Sequence, residues 1–143
     1  MSTLTRILAA SALVSFAVVP GTSAFAEMVK YKADLQAKSE VPATDSSGSG
    51  TADITVDTEA KKISWKVDAK DLSGDVTAAH FHGPAKDGAN APPVLDISGN
   101  WKEGSADLTD DQKKQLDDGE MYINVHTAKF PDGEIRGQVV KAQ

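Results

Sequence analysis

The chain predicts an all-β fold, an antiparallel sandwich or barrel with one short helix. Three observations carry this: long runs in which apolar and polar residues alternate with period two, turn residues between those runs, and a single stretch with helix start and stop signals. Val29, Tyr31, Ala33, Leu35 and Ala37 alternate with Lys30, Lys32, Asp34 and Gln36, as in a half-buried antiparallel strand. Ser46 to Gly50 is a Gly/Ser-rich loop. Ala52, Ile54 and Val56 alternate with Asp53, Thr55 and Asp57, and a turn at Thr58–Lys61 leads into Ile63, Trp65 and Val67, so the two runs form a hairpin. Val76 to His82 is β-branched and aromatic enough for a fourth strand, which Gly83-Pro84 ends. Residues 85–93 are loop, and short strands are predicted at Val94–Ile97 and Ser105–Leu108 around a turn that holds Trp101. Thr109 and Gln112 form a capping-box pattern, Asp110 and Asp111 suit the positive helix end, and Gly119 closes the helix. A last hairpin pairs Met121–His126 with Glu134–Val139 across Pro131-Asp132-Gly133. About six to eight short strands with turns between them define a sandwich or barrel.

Residues 1–26 read as a signal peptide rather than part of the fold. Arg6 precedes an apolar stretch from Ile7 to Val19, Pro20-Gly21 breaks it, and Ala24-Phe25-Ala26 offers a small-x-small cleavage site. The apolar run is shorter than the ~20 residues that span a bilayer. The expected organisation is therefore a leader over 1–26 and one domain over 27–143, periplasmic or secreted, with no membrane span in the mature chain.

Without Arg6, 14 basic residues face 21 acidic ones, a net charge of −7. That excess argues against nucleic acid and anionic membrane surfaces as partners and mildly favours cations. The chain has no cysteine, which removes disulfides, thiolate ligands and redox-active dithiols.

The three histidines of the chain lie in two short stretches, Ala78-Ala79-His80-Phe81-His82-Gly83-Pro84 and Tyr122-Ile123-Asn124-Val125-His126-Thr127. On a strand, His80 and His82 share a face, and His126 lies on the polar face with Tyr122 and Asn124. If Phe81 points into the core, all three imidazoles point out of it, and they meet if the two strands are neighbours. Three nitrogens suit a copper or zinc ion with one position open. Asn124 is placed to orient His126 from behind. The competing reading is structural, with the rings bonding backbone carbonyls to fix nearby turns.

The same stretches, together with Ser39-Glu40-Val41-Pro42, Leu72-Ser73-Gly74-Asp75-Val76-Thr77 and Pro131-Asp132-Gly133-Glu134-Ile135-Arg136-Gly137-Gln138, resemble the chordin-type (CHRD) domain family in order and spacing. The resemblance implies an immunoglobulin-like or superoxide-dismutase-like Greek-key β-fold, and exported single-domain bacterial members without an established activity. It implies the fold more firmly than a function.

Three functional readings follow. The first is a metal-binding protein with His80, His82 and His126 as ligands to copper, or less favourably zinc, and Asn124 behind them. The second is a metal-free module that uses loops 38–50 and 83–93 to hold an envelope protein or polysaccharide. The third is a mononuclear copper enzyme acting on an oxygen species, the least favoured because three histidines are too few for a dinuclear copper–zinc centre. Glu134 and Arg136 read as cross-strand ion-pair partners rather than an anion site. Asp87, Asp96, Asp117 and Asp118 read as solvated acids, since no calcium-loop pattern surrounds them. Trp65 and Trp101 read as core or loop-plug residues. No glycine-rich phosphate loop or nucleophile elbow appears.

Overall fold

A computed structural model describes residues 26–143, so the leader read over 1–26 lies, apart from Ala26, outside the described residues. Nine strands follow one another as β1 (Met28–Gln36), β2 (Ser49–Asp57), β3 (Lys62–Lys70), β4 (Val76–His82), β5 (Pro93–Asp96), β6 (Glu103–Asp107), β7 (Tyr122–Thr127), β8 (Ile135–Gln138) and β9 (Val140–Lys141), with helix α1 (Asp110–Asp117) between β6 and β7. All pairings are antiparallel, in the order β5-β4-β7-β8-β1-β2-β3-β6, and β9 continues β8 along β1. The fold is all-β with one short helix, as the periodicity predicts. The β8–β9 break falls at Val139, whose N–H donates to the Met121 carbonyl at 2.9 Å, one step beyond the Tyr122–Gln138 pair of β7 and β8.

The sheet curls on itself, bringing β3 and β4 face to face across the core. The Trp65 ring meets the Phe81 ring edge-on at 6.0 Å. One row of the core runs through Tyr31, Ile54 and Trp65, which are directly paired across β1, β2 and β3. Burial of each such side chain contributes about 1.5–3 kcal/mol, which is why the inward positions are uniformly apolar.

Helix α1 forms where its caps stand. Thr109 Oγ1 accepts from the Gln112 N–H at 3.2 Å, and Gln112 Oε1 accepts from the Thr109 N–H at 2.9 Å. The same Gln112 donates through Nε2 to the Val94 carbonyl at 2.8 Å, tying the helix start to β5. Leu116 is its one buried side chain, and Gly119 at φ +65° ends it in the conformation a side chain disfavours.

On β4–β7–β8 the alternation has a different outcome. All six residues of β7 are buried, although Ile123 and Val125 face one way and Tyr122, Asn124 and His126 the other. Segments 83–92 and 127–134 lie over the outer face. They are held there by bonds from Gln138 Nε2 to the Ala85 carbonyl (2.8 Å), from Arg136 to Asn90 and Ala89, and from His126 to Pro131. The outer face of β7, read from the sequence as polar and therefore solvent- or cleft-facing, is polar but covered.

Candidate metal centre

The site is a product of register. β4 and β7 are neighbours, with His80 opposite Asn124, His82 opposite Tyr122 and Ala78 opposite His126. Asn124 thus sits directly across from His80, diagonal to His82 and two residues before His126. The three rings converge on the outer face, each offering one nitrogen, and those nitrogens lie within 4.8 Å of one another. His82 and His126 are buried, at 9 % and 8 % exposure. His80, with 21 % of its side chain exposed, forms the open edge.

The nitrogens turned away from the centre decide the chemistry. His82 Nδ1 is 2.9 Å from the Ala91 carbonyl, and His126 Nδ1 is 2.9 Å from the Pro131 carbonyl. A carbonyl only accepts, so both rings carry their hydrogen on Nδ1 and turn an Nε2 lone pair inward. Burial holds the pKa of both rings below the ordinary value against the opposing pull of their backbone bonds and, for His82, of Asn124, and the neighbouring imidazoles add a smaller lowering. His80 turns Nδ1 toward His126 Nε2 at 3.1 Å and Nε2 toward the Asp96 carboxylate at 3.9 Å. Asp96 is pinned by Ser98, through N at 2.8 Å and Oγ at 2.6 Å, and these bonds hold its pKa down. The pattern of inward lone pairs with outward N–H groups on carbonyls is the one that supports metal-bound imidazoles.

The surroundings fix the rings further. Tyr122 stacks on His82 with centroids 4.6 Å apart and planes 4° from parallel, and the Arg136 guanidinium lies 3.4 Å from the Tyr122 centroid on its own approach. Glu40 lies beside Asn124 and Arg136. Burial pushes its carboxyl up to about 7 against the opposing pull of the Arg136 charge and the Asn124 amide. Gly133, at φ +127°, leaves space for that carboxylate, which a Cβ there would strike. Tyr122, Glu40, Asp96 and Arg136 were not legible as parts of the site. Asp96 is the solvated acid that its sequence suggests, with 71 % of its side chain exposed, and the β4–β5 register, His80 opposite Asp96, brings it to the edge of the site.

Glu134 and Arg136 depart from the ion-pair expectation. Both are fully buried, and among the described residues no salt bridge joins them. Arg136 caps the 89–90 turn, with Nη1 2.8 Å from Asn90 Oδ1 and Nη2 on the Ala89 carbonyl. Glu134 accepts from Ser46 Oγ (2.6 Å), Ser73 N and Oγ (both 2.7 Å) and Thr127 Oγ1 (2.5 Å). Burial alone would raise its carboxyl, but these donors outweigh burial and hold it below the ordinary value. Three hydroxyls and one backbone amide, from two loops and the end of β7, replace the counter-charge that the cross-strand reading supplied. Trp65 is a core residue and Trp101 packs partly buried against the core.

The fold and site together define an all-β domain with a three-histidine cluster beneath its loops. The CHRD domain family matches residues 31–139, and the chain belongs to that family. No curated protein and no solved structure matches the chain.

Proposed function

We propose that this CHRD-domain protein is exported and binds one copper or zinc ion through His80, His82 and His126, with Asn124 in the same centre. The observation that carries the reading is the tautomer pattern: two buried, neutral imidazoles donate outward to backbone carbonyls and turn lone pairs toward a common point. Lone pairs brought together in a buried site repel unless a proton or a cation lies among them. One proton on His80 Nδ1 serves the contact to His126 Nε2. With the Asn124 amide nitrogen toward Glu40, no hydrogen remains for the two contacts of Asn124 Oδ1. Imidazole suits copper and zinc, the −7 charge of residues 27–143 favours a cation, and the leader pattern at 1–26 supports a site that meets metal at the cell envelope.

The role is metal handling or stabilisation rather than turnover. Of the loops 38–50 and 83–93 in the second reading, the latter is anchored inward at Ala85, Ala89, Asn90 and Ala91, which makes it the lid of the centre.

Calorimetric titration of the metal-free full chain with copper(II) and with zinc(II) tests this. One equivalent is expected to bind, and His82→Ala should weaken it by about 100-fold or more; unchanged affinity in the variant defeats the reading. Protons compete only when they can occupy the inward nitrogens. Because the pKa of His82 and of His126 is lowered from 6.5, affinity should hold as pH falls from 8 to about 6.5 and drop below that.

A further inference from the structure

We infer that the side-chain oxygen of Asn124 is itself a ligand of the centre, so that the donor set is three imidazole nitrogens and one amide oxygen; this rests on the three-histidine reading. Asn124 Oδ1 lies 2.9 Å from His82 Nε2 and 2.9 Å from His126 Nε2. Neither contact has a hydrogen to share, since both rings carry theirs on Nδ1 and Oδ1 is an acceptor. Ligands about 2.0–2.1 Å from a common ion stand roughly 2.9–3.4 Å apart, depending on geometry. Three of the six separations among the four donors, 2.9, 2.9 and 3.1 Å, fall in that range, while the imidazole nitrogens spread over as much as 4.8 Å, so that His82 and His80 must draw in for all four to share one ion.

The orientation of the amide follows from what lies behind it. Asn124 Nδ2 and Glu40 Oε1 both border the space over Gly133, and the amide side of Asn124 acts on the Glu40 carboxyl, whose Oε1 is buried without a hydrogen-bond partner among the described residues. Reversal would set Oδ1 against the Glu40 oxygen and present N–H groups to the metal position. Asn124 is 3 % exposed, so water does not compete for its oxygen. An amide oxygen is a hard donor that adds to the binding of a divalent ion and little to that of copper(I), which softer ligands hold. Asn124 thus biases the centre toward zinc(II) and copper(II).

The test compares the full chain with Asn124→Ala and Asn124→Asp, using zinc(II) calorimetry, copper(I) competition titration and the visible spectrum of the cobalt(II)-loaded protein. Asn124→Ala should lose about 100-fold in zinc(II) affinity, keep copper(I) affinity within about threefold and alter the cobalt(II) bands. Asn124→Asp keeps an oxygen in the same place, its second oxygen meets a Glu40 carboxyl that burial pushes up to about 7 and that can therefore hold a shared proton, and zinc(II) binding should be restored. Retained copper(I) binding in both variants shows that the histidines are still assembled. The inference is overturned if Asn124→Ala binds zinc(II) like the parent with the same cobalt(II) spectrum. It is equally overturned if both variants lose zinc(II) and copper(I) alike, which marks Asn124 as a group that only positions the rings. A parent chain that binds none of these ions overturns the three-histidine centre instead.

Discussion

The two halves of the sheet share one sequence pattern and use it differently. In β1, β2 and β3 the outward residues, among them Lys30, Lys32, Asp53, Lys66 and Asp68, meet water, and the inward ones make the core. In β4, β7 and β8 the outward residues are polar too, yet His82, Asn124, His126 and Arg136 are buried beneath loops. A polar face in water is solvated and weakly constrained. A polar face under a lid must satisfy each group locally, and the groups it retains are specific ones held at 2.9 Å contacts. The difference teaches where chemistry lies in this domain: at the second, polar layer, and not at the open face that carries most of its charge.

The largest expected effect separates the layers. Phe81 lies between His80 and His82 in sequence but points the other way, fully buried against Trp65. Phe81→Ala should cost about 3–5 kcal/mol in urea unfolding, from lost transfer energy and the cavity left behind. The folded fraction should still bind one metal ion, because the rings are held from outside by Ala91, Pro131 and Tyr122. Loss of metal binding in the folded variant would show that the layers are one unit.

That separation also explains what was legible. The strands, the hairpins, the capped helix and the shared face of His80 and His82 follow from period-two alternation, turn residues and one i, i+2 pair, all local properties, whereas the meeting with His126 also needs β4 beside β7, a pairing that no local pattern specifies. The covering of the β7 outer face does not, because it depends on where residues 83–92 and 127–134 fold back, and those loops have no periodicity. Glu134 shows the same limit. On the polar face of the last strand it looks like half of a cross-strand ion pair, whereas its partners are Ser46, Ser73 and Thr127, up to 88 residues away. Tyr122 was placed on the correct face, but its stacking between His82 and Arg136 depends on cross-strand register.

A middle-sized effect tests the lid. Arg136 joins Tyr122 to the 89–90 turn, and the carbonyl of the next residue, Ala91, holds His82 Nδ1. Arg136→Met keeps the bulk and removes the fork. Its hydrogen bonds, made by a charged and fully buried group, suggest a loss of about 2 kcal/mol. Metal affinity should fall roughly tenfold as the turn loosens and His82 loses its orientation. A stability loss with affinity unchanged would mean that Ala91 is held by other contacts and that the lid does not act through Arg136.

The smallest effect is expected on the open half. Lys66 stands opposite Asp53 on one side and Glu103 on the other, a charged trio on a solvated face. Exposed pairs of this kind gain little Coulomb energy in water and lose side-chain entropy in forming. Lys66→Ala should therefore shift unfolding by no more than about 0.5 kcal/mol. Metal affinity should be unchanged, since the core lies between β3 and the outer face of β4 that carries the histidines. A metal affinity that moved with Lys66 would mean that the open face communicates with the buried centre, and the contrast between the two halves would no longer locate the chemistry.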